Sequence, residues 1–70
     1  MPRCPGINHQ RAVRAFAKLG YRVIRQSGHI AMSDGEILLI IPRHNPVDAV
    51  TMGGLIAKAG LTIEQFRELL

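Results

Sequence analysis

The chain is predicted to fold as one small α+β domain, a three-stranded antiparallel sheet with helices on one face, in the order α-β-β-β-α-α. Three observations lead there. Residues 21–26, 29–33 and 36–41 have strand patterning and are joined by two tight turns. Apolar residues recur at helical spacing once before these runs and twice after them. The whole is only 70 residues long, which leaves room for a single domain, 1–70. A chain this short buries about 60% of its unfolded surface, so its stability is expected to be marginal.

The first helix is expected over His9 to Leu19. Asn8 is a suitable N-cap, since its side chain can accept from the free N–H groups of the first turn. Ala12, Val13, Phe16 and Leu19 form its apolar stripe, and Arg11, Arg14 and Lys18 a second, cationic one. Gly20 turns the chain out of the helix.

Tyr21 to Gln26 interleaves β-branched and aromatic residues with polar ones, as a strand does. Ser27-Gly28 is a turn, and His29 to Ser33 the central strand. Alternation puts Ile30 and Met32 on one face and His29, Ala31 and Ser33 on the other. Asp34-Gly35 is a type I′ hairpin signal. Glu36 to Ile41 is the third strand, stopped by Pro42. It is apolar on both faces although connectivity makes it an edge, and a partner chain would cover it.

Arg43 to Val50 reads as a loop. Thr51 caps a second helix, with Met52, Leu55, Ile56 and Ala59 on its apolar face. Gly53 and Gly54 each weaken that helix by roughly 1 kcal/mol relative to alanine, which implies close backbone approach. Gly60 ends it. Thr62 and Gln65 form a capping box for a third helix, Leu61 staples onto Phe66, and Ile63, Phe66, Leu69 and Leu70 bury. Helices must rest on an apolar layer, so they cover the Ile30/Met32 face and leave His29 pointing away.

A composition with 47% hydrophobic residues and four prolines is that of a globular chain. One cysteine, Cys4, allows no disulfide framework, and the longest aliphatic run, Ile37 to Ile41, is far too short to span a membrane. The first ten residues lack the apolar core of a signal peptide, so a cytoplasmic location is expected. The net charge is +4 and uneven. Residues 1–33 carry Arg3, Arg11, Arg14, Lys18, Arg22 and Arg25 with no acid, for +6. The remainder sets Arg43, Lys58 and Arg67 against Asp34, Glu36, Asp48, Glu64 and Glu68, for −2. That asymmetry suits a polyanion, and a solvated helix face is the plainer reading of it.

His29 is the leading candidate for chemistry. An imidazole ordinarily titrates at about 6.5, so it can take and give a proton near neutrality. RNA cleavage needs the 2′-OH proton removed and the leaving oxygen protonated, with Arg22 or Arg25 stabilising charge on phosphorus. His44, after Arg43, can touch a phosphate. His9 sits in a helix first turn and reads as structurally neutral. Cys4 has no evident base beside it. The three histidines show no metal-ligand spacing and no carboxylate cluster, so no metal and no cofactor are expected. Three aromatics are too few for the base-stacking sheet of an RNA-recognition motif.

Six short motifs follow one another between Asn8 and Leu70: Leu19-Gly20-Tyr21, Arg25-Gln26-Ser27-Gly28-His29, Pro42-Arg43-His44, Thr51-Met52, Ala59-Gly60-Leu61 and Glu64-Gln65-Phe66. In this ordered set the chain resembles the HicA (YcfA-like) family of small RNA-cleaving toxins from toxin–antitoxin pairs. The family's usual Gly-Ser-His order stands here as Ser-Gly-His, and Val50 replaces its glycine before the threonine. The resemblance implies a fold like a double-stranded RNA-binding domain and a metal-independent endoribonuclease acting on mRNA. In it His29 would be catalytic. The charge asymmetry, read as an RNA face, makes Arg11, Arg14, Lys18, Arg22 and Arg25 the phosphate contacts, with His44 beside Arg43 as a further one. The resemblance further implies a HicB-like antitoxin as partner, with a homodimer as another way to cover the third strand. Two rivals stand beside it: a non-catalytic RNA-binding domain, and an assembly subunit.

Overall fold

Asn8 starts the first helix by accepting from the Gln10 N–H at 2.8 Å. In the computed structural model, which describes residues 6–70, this helix is α1 (His9–Ala17). Arg3 and Cys4 lie outside the described residues. The expected end at Leu19 is two residues late. Leu19 and Gly20 donate to the Phe16 and Ala17 carbonyls, both at 3.0 Å, and this tightened turn swings Leu19 into solvent. Ala15 joins Ala12 and Phe16 in the buried stripe instead. Gly20, at φ 100°, makes the turn that a side chain would strain.

The three strands are β1 (Arg22–Gln26), β2 (His29–Ser33) and β3 (Leu38–Pro42), antiparallel in that order. β3 starts later than expected, because the hairpin turn is not type I′. Of Asp34 and Gly35 only Gly35 has positive φ, at 104°, whereas type I′ needs it at both central residues. Asp34 braces the turn by accepting from the Glu36 and Ile37 N–H groups at 2.9 and 2.8 Å, which also holds its carboxyl below the usual range. Pro42 does not stop β3 but is its last residue, paired with His29.

α2 (Ala49–Lys58) begins before Thr51. Asp48 is the cap, accepting from the Thr51 N–H at 2.8 Å and its hydroxyl at 2.9 Å. These bonds favour the ionised carboxyl and lower its pKa. α3 (Ile63–Glu68) carries the expected capping box, Gln65 N–H to the Thr62 hydroxyl at 3.1 Å and Thr62 N–H to the Gln65 amide oxygen at 2.9 Å.

The core lies between the helices and one sheet face. Ile30, Met32, Leu39 and Ile41 pack against Phe16, Met52, Ile56 and Phe66. Phe16 centres it, edge-on to Tyr21 at 5.9 Å and 5.1 Å from Phe66. Burial, with the Asp34 charge adding to it, raises the Tyr21 hydroxyl above its usual pKa. Ile63 and Leu69 are only partly buried and Leu70 is exposed, because the short α3 presents one full turn to the core through Phe66. An unforeseen bridge, Ile7 N–H to the Val47 carbonyl at 3.2 Å and the reverse bond at 2.7 Å, ties the entry to α1 to the loop before α2. No helix among the described residues is long and apolar enough to cross a membrane.

The close approach expected at Gly53 and Gly54 is absent, since among the described residues nothing beyond the helix's own backbone lies within 4 Å of where a Cβ would stand at either. Gly54→Ala should therefore stabilise the fold by about 0.5–1 kcal/mol, read as a higher melting temperature; an unchanged or lower one would mean that the position serves something other than helix stability.

Candidate nucleic-acid interface

Strict alternation would put Arg22 and Arg25, three residues apart, on opposite faces of β1. A β-bulge prevents this. Val23 pairs with Met32 and Arg25 with Ala31, so Ile24 is an extra residue with no partner of its own. Arg22 pairs with Ser33. Paired residues share a face, and Ala31 and Ser33 share theirs with His29. The bulge thus brings both arginines to the face of the central strand that His29 occupies, away from the helices. All three are exposed. Arg25 sits diagonally across from His29, within reach of an arginine side chain.

The turn before His29 is held from two sides. The Ser27 N–H donates to the His29 carbonyl at 3.0 Å. The Arg43 guanidinium donates from Nη1 to the Ser27 carbonyl at 3.1 Å. His29 is also tied to the edge strand through its pairing with Pro42. Its backbone is therefore fixed while the residue stands exposed, and among the described residues nothing lies within 4 Å of where a Cβ would stand at Gly28.

The helix cations lie elsewhere. Ala12, Ala15 and Phe16 face the core, and that places α1 on the opposite side of the sheet from His29. Arg11, Arg14 and Lys18 line a groove of about 280 Å3 with Leu69 and Leu70. Lys18 Nζ donates to the Leu69 carbonyl at 2.8 Å, near the C-terminus of α3, where a cation is favoured. His44 is exposed in the loop after β3. The basic half of the sequence thus forms two surfaces, an open sheet face with Arg22, Arg25 and His29, and a helix layer with Arg11, Arg14 and Lys18.

The open face is apolar along β3. Its exposed residues are Leu38 and Ile40, whereas Leu39 and Ile41 are fully buried against the helices. Of the two apolar faces of this strand, the one with Leu39 and Ile41 is thus covered within the chain, and only Leu38 and Ile40 are open to a partner. Leu38 and Ile40 are an uncovered apolar pair on β3, one strand removed from the arginines of β1 across Ser33 and Ala31, and Ile24 is exposed at the bulge. Ile40→Lys should leave the melting temperature nearly unchanged. Leu39→Lys should cost several kcal/mol and unfold the chain, because a charge would be driven into the core. Equal losses in thermal melts would contradict this assignment of faces.

Among the described residues no three His, Cys, Asp or Glu side chains cluster as metal ligands would. No family model, no curated protein and no solved structure matches the chain.

Proposed function

We propose that the chain is an RNA-cleaving toxin of HicA type, with His29 as its acid–base residue and a fold like a double-stranded RNA-binding domain. The observation that carries this reading is the bulge in β1, which sets Arg22, Arg25 and an exposed His29 on one open sheet face. In the reaction a ribose 2′-oxygen attacks the adjacent phosphorus, the bond to the 5′-oxygen breaks, and a 2′,3′-cyclic phosphate and a 5′-hydroxyl result. The imidazole takes the 2′-OH proton or protonates the departing oxygen, and the arginines stabilise negative charge on phosphorus. Neither step calls on a cofactor.

The same face supports a protein partner. Ile24, Leu38 and Ile40 offer apolar area near cations, so a HicB-like antitoxin seated there would cover the edge and block His29 together. A second copy of the chain is the alternative cover. The cytosol, where mRNA is found, is the expected location.

The test is incubation of the purified chain with single-stranded RNA in the presence of a chelator. Cleavage is expected. RNA bound but left intact would favour a non-catalytic RNA-binding domain, and RNA neither bound nor cut would favour an assembly subunit.

A further inference from the structure

A second groove, of about 330 Å3, lies between α1 and the β1–β2 hairpin, on the helix side of the sheet. Its apolar floor is Val13 and Ile30, and its polar groups come from Arg14, Arg43, Gln10 and Gln26. An apolar floor with a few convergent polar groups, at this volume, is the make-up of a small-molecule site.

His9, at its rim, is oriented by Asn45. The Asn45 side-chain oxygen accepts from the His9 backbone N–H at 2.9 Å and contacts His9 Nδ1 at 2.6 Å. A backbone N–H can only donate, so the Asn45 atom that faces it is oxygen. The same oxygen must then receive a hydrogen from Nδ1. In the neutral ring this leaves Nε2 as an acceptor. Arg43 gives one of its five N–H donors to the Ser27 carbonyl and makes no other side-chain hydrogen bond among the described residues.

We propose that this groove is a ribonucleotide subsite: Arg14 and Arg43 take the phosphate, His9 Nε2 accepts from the ribose 2′-hydroxyl, and the base rests on Val13 and Ile30 with the glutamine amides at its edges. As a subsite for another nucleotide of the strand being cut, it rests on the RNA-cleaving reading above. Two guanidinium groups suit a phosphate, and an acceptor fixed by a neighbouring amide separates ribose from deoxyribose. Because Arg43 also holds the turn that leads to His29, one side chain joins the subsite to the cleaving face.

The test is a titration of the full-length isotope-labelled chain, followed through its backbone amide resonances. The probes are adenosine 5′-monophosphate, its 2′-deoxy counterpart and inorganic phosphate. The ribonucleotide should shift the amides of His9, Gln10 and Gln26 saturably. The deoxynucleotide should bind about fivefold more weakly, and Arg14→Gln should weaken the ribonucleotide about tenfold. Both Arg14 and Gln26 are exposed, so Arg14→Gln should keep the dispersed spectrum of a folded chain. Equal binding of the two nucleotides, an equally strong response to phosphate alone, or shifts confined to the open sheet face would each overturn the proposal. Nucleotide binding here by a chain that cuts no RNA would remove the catalytic reading and keep the subsite, and a silent groove in a chain that cuts RNA would do the reverse.

Discussion

His29→Ala should melt where the parent chain melts and cleave RNA at least about a hundredfold more slowly. The two halves of that expectation come from one fact, the exposure of His29 on the open face. No packed side chain is lost, and surface substitutions of this kind usually stay within about 0.5 kcal/mol. A hundredfold in rate is about 2.7 kcal/mol of transition-state stabilisation, typical of a general acid–base group. RNA affinity should persist, because the arginines remain. A variant with a much lower melting temperature would show that His29 has a structural role, and one that cuts normally would remove it from the reaction.

Phe16→Ala should have the largest effect on stability. Phe16 is fully buried and touches both other aromatic rings, Tyr21 and Phe66. Truncating a buried phenylalanine costs about 3–5 kcal/mol, and the lost ring pairs add to that. A 70-residue domain has stability near the low end of the usual range of about 5–15 kcal/mol. The melting temperature should fall by about 12 °C or more, if the variant folds at all. A loss of only a few degrees would mean that the helix layer can collapse into the space.

Much of this was legible in the sequence because it depends on local pattern. Asn8, Thr62 and Gln65 cap as their side-chain chemistry requires. Alternation along 29–33 was enough to separate the Ile30/Met32 face from the His29 face. What was not legible depends on pairing between distant segments. The bulge at Ile24 leaves no mark on residues 21–26 themselves, yet it decides that Arg22 and Arg25 lie on one face. Asp48 outcompetes Thr51 as cap because its carboxylate reaches both the N–H and the hydroxyl of the threonine. His9 looked inert in its helix turn, and Asn45, 36 residues away, gives its ring an orientation. The charge runs were plain to read, but their division between two layers follows from α1 packing on the face opposite His29.

The most direct measurement is the chemistry of the ends produced when the chain and its His29→Ala variant are each incubated with single-stranded RNA in a chelator at neutral pH. Fragments from the parent should carry 2′,3′-cyclic phosphate and 5′-hydroxyl ends, and the variant should yield almost none. Fragments with 3′-hydroxyl and 5′-phosphate ends, or equal yields from the two chains, would contradict histidine acid–base cleavage on the open sheet face.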